Sequence, residues 1–277
     1  MDTQAQIQKA DAFRSLHRGP KILVLPNVWD PLGARILESI GYPAVATASA
    51  AIAYSLGRHD GEVIDFDTML DAIRRTAAAV QVPVTADFER GYAESLDQLE
   101  ENVQSVIDTG IVGINIEDSL AEGGELRNVD EQCKRIASAR RAADRSGVPL
   151  FINARVDVFM SRRSIPWIKR IPETIERAKA YMDAGADGIY PITAGDLETL
   201  KPIIDETGAP VNVFARKGTP SLLDLELAGV ARVSLGSNVL RASATVIRDI
   251  GRDLLDYGSW DRFTEGTMSS EEIEDLL

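Results

Sequence analysis

Four times in this chain a helix-like stretch runs into a glycine and then, within two or three residues, into a short apolar, β-branched run. The four are ILESIGYPAVATAS at Gly41, VIDTGIVGINIED at Gly110, YMDAGADGIYPIT at Gly185 and LELAGVARVSLG at Gly229. Glycine just past a helix accepts the left-handed backbone that stops it. A short run with few polar residues suits a strand buried on both faces of a parallel sheet. The stretches from Gly41 to Gly110 and from Gly110 to Gly185 are each about twice the ~30 residues of one strand–helix unit, so each predicts a further strand. PVTAD (83–87) and PLFINARVD (149–157) supply them, and KILVLPN near the start and PVNVFA (210–215) bring the count to eight.

Amphipathic helices are expected between the strands, among them Asp67–Val80, Leu96–Asp108, Asp130–Asp144 and Pro172–Ala184. Eight alternating β and α elements favour an α/β fold closed into a (β/α)8 TIM barrel over an open doubly wound sheet. No GxGxxG follows the first strand, no Walker A motif is present, and no linker rich in Pro, Gly or Ser splits the chain. Residues 1–277 therefore read as one barrel domain, in the size range of such folds. The tail outruns the last barrel helix: a helix Val239–Asp256, a break at Tyr257-Gly258-Ser259, and an acidic helix Ser269–Leu277. This extension, 239–277, is expected to be exchanged with a neighbouring subunit, making the protein a homo-oligomer, a dimer or tetramer.

The formal net charge is −13, which repels nucleic acid and anionic membranes unless a local basic patch intervenes. The basic stretch Arg162, Arg163, Lys169 and Arg170 around Trp167 reads as a solvated loop or helix edge. The N-terminal stretch is polar, without the apolar core of a signal peptide, and no apolar run reaches the ~18 residues of a membrane span; the expected compartment is the cytoplasm. Cys133 is the single cysteine, expected on a helix as a small buried residue. His17, on the first helix, reads as structural.

In a barrel, chemistry gathers at the C-terminal ends of the strands. Strand two leads into SLGRHDGE with His59, Asp60 and Glu62; strand three ends in TADFERGY with Asp87 and Glu89; strand four ends in INIEDS with Glu117 and Asp118; strand five ends in NARVD with Arg155 and Asp157. Alternation along a strand turns Asp87 and Glu89 toward one locus, with Glu117 arriving from the next strand. Carboxylates converging without a cation resist ionisation; a hard dication with oxygen ligands resolves this, and without histidine in the set Mg²⁺ suits better than zinc. The other interpretation is that these acids pair with Arg90, Arg155 or helix N-termini and only stabilise the barrel.

These segments resemble the isocitrate lyase and phosphoenolpyruvate mutase superfamily, in LPNVWDPLGARILESIGYPAVATASAAIAYSLGRHDGE, PVTADFERGY, GINIEDS, FINARVDVF and RVSLGSNVLRA, in order across roughly residues 20–245. The resemblance implies a Mg²⁺ enzyme, with Mn²⁺ as a substitute ion. It implies direct metal binding by Asp87, with Asp60, Glu89 and Glu117 holding the ion through waters. It implies that backbone amides at Ser49 and Ala50, with Thr47 beside them, hold the substrate carboxylate, that Arg155 contacts the substrate's oxygen-rich end, and that Asn212 lines the far side of the pocket. Arg155, Glu117 and Asp60 are then the catalytic candidates. The implied chemistry acts on a small 2-oxo or 2-hydroxy carboxylic acid through an enolate, by C–C cleavage or decarboxylation.

The chain also departs from the superfamily. Its lyases carry Lys-Lys-Cys-Gly-His shortly after the strand-four Glu-Asp pair; here the stretch is SLAEGGELRNVDEQ, so a standard isocitrate or methylisocitrate lyase is not expected. The mutases use a lysine and an asparagine in that loop; Asn128 is a loose match and no lysine is. Gly123-Gly124 would suit a hinged lid. P–C bond chemistry on phosphonopyruvate-like substrates and a catalytically silent oxo-acid-binding protein remain alternatives. A phosphosugar isomerase or aldolase rests on LGSNVLR as a phosphate cradle and on Lys217 as the lysine nearest a strand end.

Overall fold

The computed structural model describes residues 3–120, 125–160 and 165–277. All four punctuating glycines adopt the left-handed backbone, with φ of 96° at Gly41, 97° at Gly110, 110° at Gly185 and 90° at Gly229. Eight strands follow: β1 in two pieces (Leu23–Leu25 and Asn27–Val28), β2 (Val45–Thr47), β3 (Val84–Asp87), β4 (Gly113–Glu117), β5 (Phe151–Val156), β6 (Gly188–Pro191), β7 (Asn212–Phe214) and β8 (Arg232–Ser234). Pro26 lacks the N–H that would continue the ladder, which accounts for the gap in β1. Every pairing is parallel, from the second half of β1 through β2 to β6, and from β7 through β8 to the first half of β1. A bridge between Ile189 and Val211 joins β6 to β7 and closes the circle. The fold is a (β/α)8 barrel.

The helices are α1 (Thr3–Leu16), α2 (Pro31–Ser39), α3 (Ser49–Ser55), α4 (Phe66–Ala79), α5 (Leu96–Ile107), α6 (Val129–Ser146), α7 (Trp167–Asp183), α8 (Leu197–Thr207), α9 (Leu222–Leu227), α10 (Asn238–Tyr257), α11 (Asp261–Thr264) and α12 (Ser270–Glu274). Side chains of Asp65, Ser95, Asn128, Asp196 and Ser221 cap their helices by accepting from first-turn amides. Helix α7 starts five residues earlier than its proline suggested: Pro166 precedes the first turn and Pro172 sits inside, where it forgoes one backbone hydrogen bond.

Helix α1 closes the N-terminal end of the barrel. Phe13 is fully buried, and the His17 ring stacks on Phe151 at 4.0 Å between centroids. His17 Nδ1 donates to the Phe13 carbonyl at 2.9 Å; burial and then the charge of Arg232 push its pKa down to about 3. Nearby, Asp187 accepts hydrogen bonds from Arg14, from Arg140 and from the Ile152 amide.

Helix α10 leaves the barrel and buries no side chain. Ile247, Leu255, Tyr257 and Trp260 stand exposed along the tail, although Arg35 of α2 donates to the carbonyls of Leu276 and Leu277. The last helix is shorter than expected and opens with a capping box between Ser269 and Glu272. Cys133 lies on α6, part-buried, with Sγ 3.5 Å from the Ala180 carbonyl. Among the described residues no helix is long and apolar enough to cross a membrane.

Candidate active site at the barrel mouth

Polar residues occupy the inward positions of the central strands, and they form a ladder that leads to Asp87. Asn153 Nδ2 donates to Asn115 Oδ1 at 2.9 Å, and Asn115 Nδ2 lies 3.5 Å from Asp87 Oδ1. Asp87 is the last residue of β3 and stands at the centre of the mouth. Its Oδ2 accepts from Ser49 Oγ at 2.7 Å and from the Ser49 amide at 3.2 Å, while its own amide donates to Thr47 Oγ1 at 3.2 Å. Thr47 and Ser49 are buried, and Ala50 follows in the first turn of α3.

Asp60 reaches this centre from the loop after α3, its Oδ1 3.5 Å from Ser49 Oγ. The residue as a whole stays exposed, but its carboxyl lies against protein; desolvation there, and then the charge of Asp87, raise its pKa. Glu89 takes another route than strand alternation implied. The strand ends at Asp87, and Glu89 sits in a turn with φ of 47°. Its carboxylate accepts from the Glu62 amide at 2.7 Å and from Tyr92 Oη at 2.8 Å. Burial, then Asp60, push Glu89 up to about 7 against the pull of that phenol.

Glu117 ends β4, 5 % exposed, ion-paired with Arg155 on the neighbouring strand and 3.5 Å from Arg90 Nη1. Burial raises its pKa, and Arg155 works against the rise. Arg155 is held in turn by Asp157, with Nε to Oδ1 at 2.7 Å and Nη2 to Oδ2 at 3.0 Å. Despite burial, Asp157 and Glu117 hold Arg155 firmly charged. Asp118 points the other way: it accepts from Tyr181 Oη at 2.9 Å and from the Asp157 amide at 2.9 Å, so it supports the site from behind. Asn212 is 1 % exposed inside the barrel, and neither its amide oxygen nor its nitrogen has a hydrogen-bond partner among the described residues.

Sequence spacing thus brings Thr47, Ser49, Asp60, Asp87, Glu117 and Arg155 to one end of the barrel, with Glu89 on the adjoining turn. Among the described residues no three carboxylates stand close enough to enclose an ion by themselves; Glu89 is engaged by Tyr92, and Glu117 by Arg90 and Arg155. The set still fits a hard dication, which keeps several waters and binds through one or two carboxylates. Its donors are all oxygen, and burial first, with neighbouring carboxylates adding to it, holds Glu89 and Glu117 above the ordinary carboxylate range. All four non-glycine residues with positive φ among those described, Glu62, Glu89, Tyr92 and Thr193, lie on loops at this end, and backbone strain of that kind concentrates at functional sites.

The interpretation of these acids as simple barrel salt bridges accounts for part of the geometry, since Glu117 does pair with Arg155; it leaves Asp60 and Asp87 without a cationic partner within 4 Å among the described residues. The phosphate-cradle idea fails: the Leu235 and Gly236 amides both donate to Asn27 Oδ1, at 2.8 and 2.9 Å, and Lys217 is exposed. His59 is exposed as well. Glu122, Gly123 and Gly124 lie outside the described residues, as do Arg162 and Arg163. Asn128 caps α6 through its side chain, 2.9 Å from the Asp130 amide. A groove of about 700 Å³ runs along the rim beside Glu62, Phe66, Arg90, Tyr92, Leu120 and Arg127.

Sequence reading missed Tyr190 on β6 and Arg232 on β8, both buried. The signal was present: RVS, like GINIE and FINARV, places polar side chains at alternate positions of an otherwise apolar strand.

Comparison with known proteins places this architecture. Residues 13–255 match the phosphoenolpyruvate phosphomutase family. An uncharacterized protein of Mycobacterium tuberculosis (strain H37Rv) is 34% identical over 227 residues, 82% of each chain. An oxaloacetate decarboxylase of Pseudomonas fluorescens is 28% identical over 76% of this chain and 72% of its own. Among solved structures, a proposed lyase or mutase from Burkholderia cenocepacia superposes with a TM-score of 0.90 at 34% identity, over 98% of this chain and 96% of the other. A phosphonopyruvate hydrolase in complex with oxalate and Mg²⁺ shares the fold at 21% identity, with a TM-score of 0.84 over 97% and 94%. The chain belongs to the phosphoenolpyruvate phosphomutase family, within the isocitrate lyase and phosphoenolpyruvate mutase superfamily of lyase-type enzymes.

Proposed function

We propose that this protein is a Mg²⁺-dependent lyase that cleaves a C–C bond in, or decarboxylates, a small 2-oxo or 2-hydroxy carboxylic acid by way of an enolate. The observation that carries this reading is Asp87: a strand-end carboxylate hydrogen-bonded to Ser49 and facing the raised acids Asp60, Glu89 and Glu117. Asp87 would bind the ion directly, and Asp60, Glu89 and Glu117 through waters. When bound, Mg²⁺ supplies positive charge that stabilises the oxyanion developing on the substrate.

The remaining work falls to the chain itself. The backbone amides of Ser49 and Ala50 and the hydroxyl of Thr47 would hold the substrate carboxylate. Arg155, fixed by Asp157 and Glu117, presents its guanidinium to the oxygen-rich end of the substrate. Asn212 lines the far side. C–C chemistry outranks P–C chemistry because Asn128, the loose match to the mutase asparagine, is engaged as the cap of α6. A panel of 2-oxo and 2-hydroxy acids assayed for pyruvate or glyoxylate release, with and without EDTA, tests the reading; turnover indifferent to EDTA contradicts it.

The exposed apolar tail supports a second part of the proposal, exchange of residues 239–277 with a neighbouring subunit. An apolar groove of about 620 Å³ lined by Leu16, Ile22, Leu23, Ile40 and Tyr42 is uncovered on the same barrel. A clean monomer by light scattering, at concentrations used for assay, contradicts exchange.

A further inference from the structure

The groove of about 700 Å³ on the rim has an apolar part and a charged part. Phe66 and Tyr92, their ring centroids 5.8 Å apart, line the first together with Leu120, and all three side chains are only half-buried. Arg90 and Arg127 line the second. The two arginines differ. Arg90 is matched within the protein, paired with Glu62 at 3.0 Å and 3.5 Å from Glu117. Arg127 is held by its backbone alone: its amide donates to the Asp118 carbonyl at 2.7 Å, and its carbonyl accepts from Arg177 Nη1 at 2.9 Å. No carboxylate among the described residues pairs with its guanidinium, and its buried Nε has no hydrogen-bond partner there.

A third guanidinium stands close by. Burial and then the charge of Arg127 push Arg135 down to about 10, with Glu62 the acid whose charge opposes that fall. The acids of the groove do not answer Arg127. Glu62 is taken up by Arg90 and by the amides of Arg90 and Tyr92, Asp65 caps α4, and Glu94 is exposed. A loop anchor needs only the backbone bonds at 127, not a charge. A part-buried cation among other cations gains from an added anion, and two aromatic rings beside it offer area to a flat apolar body. Clefts of this size, with apolar walls and a few placed polar groups, are the usual form of small-molecule sites.

We propose that this groove is a second ligand site, which takes a small organic anion with its oxyanion on Arg127 and its flat apolar body on Phe66 and Tyr92, and which when filled tightens binding of the divalent ion at the mouth. Groove and mouth have residues in common: Tyr92 Oη donates to Glu89, and Arg90 reaches Glu117 at only 3.5 Å. An anion beside Arg90 competes with Glu117 for it, and a carboxylate that loses one cation gains more from another. The coupling is reciprocal. It rests on the mouth holding the ion; the groove as a ligand site does not.

A crystal soaked with 4-bromobenzoate locates the site through the anomalous signal of bromine. The bromine should lie against Phe66 and Tyr92, with a carboxylate oxygen in hydrogen-bond reach of Arg127; bromine only at the mouth, or nowhere, overturns the inference. In solution, NMR titrations compare 4-bromobenzoate, 4-bromophenyl phosphate and the uncharged 4-bromobenzamide, with and without Mg²⁺ and oxalate to fill the mouth. One of the anions should bind at least about tenfold more tightly than the amide in both states, the preference of a charge-assisted hydrogen bond, and the favoured one identifies the oxyanion. Arg127→Gln should abolish that preference and leave oxalate affinity unchanged, and Arg127→Lys should restore part of it. A preference that survives in Arg127→Gln overturns the site. Calorimetric titration with Mg²⁺ should give a Kd at least about fivefold lower with the groove filled. An unchanged Kd removes the coupling alone, whereas protein that takes the anion and no Mg²⁺ contradicts the metal reading of the mouth and leaves the groove standing.

Discussion

The two ends of the barrel handle their carboxylates in opposite ways. At the N-terminal end Asp187 is matched by Arg14, Arg140 and the Ile152 amide, and His17 is held neutral on a bed of phenylalanine. At the C-terminal mouth Asp60, Asp87, Glu89 and Glu117 lie within range of one another's charge, and the arginines that reach them, Arg90 and Arg155, both pair with Glu117. The difference separates stability from binding: one end has spent its charges on itself, while the other holds acids that gain most from something the chain does not contain.

The largest effects come from exchanging roles between the ends. Asp87→Asn should lower turnover by more than about a hundredfold, since losing even an outer partner of a bound metal costs up to that much, while the melting temperature holds or rises. Asp187→Asn should do the reverse, costing about 3 kcal/mol of unfolding free energy by leaving two arginines unmatched, with kcat/KM unchanged. Steady-state assays beside thermal melts decide. A stability loss at Asp87 with no loss of turnover would break the comparison.

A middle-sized effect separates the ends by pH. Glu89 has its pKa raised from 4.5 to about 7 on folding, so between those values the folded chain binds the extra proton. Its contribution is fully present below about pH 4.5 and lost as pH rises toward 7, on the order of 3 kcal/mol. Denaturant titrations of metal-free protein across that window should show the loss, Glu89→Gln should remove it, and added Mg²⁺ should flatten it. His17 works in the opposite sense: its pKa falls from 6.5 to about 3, so its contribution is present above pH 6.5 and lost as pH drops toward 3. His17→Gln should blunt that acid loss; a variant with the wild-type acid profile would mean that His17 is not held neutral.

The smallest effect belongs to neither end. Lys179 and Glu206 pair at 3.2 Å with both side chains half exposed; Lys179→Ala should cost less than about 1 kcal/mol and leave activity alone. A larger loss would mean that the surface between α7 and α8 carries energy assigned here to the barrel ends.

Much of the fold was legible because a glycine past each helix and an apolar run after it are local signals, and all four came out with left-handed backbone. The start of α7 was not, because a proline reads as a first-turn residue, whereas here Pro166 precedes the helix and a turn runs ahead of Pro172. At the mouth, Asp60, Asp87, Glu117 and Arg155 were legible because strand ends map directly onto position. Glu89 was legible as a residue but not in its path, since a positive φ at an acid is not written in alternation. Arg232 and Tyr190 went unnoticed because an arginine inside a strand reads as an exposed charge until the barrel closes around it.

The most direct test of the acids at the mouth is anomalous diffraction from a crystal soaked with Mn²⁺ and oxalate. A metal site at Asp87 predicts one peak about 2.1 Å from its carboxylate, near the usual length for such octahedral oxygen ligands, with Asp60, Glu89 and Glu117 linked to it through waters. A soaked crystal with oxalate bound and no metal beside Asp87 would contradict it.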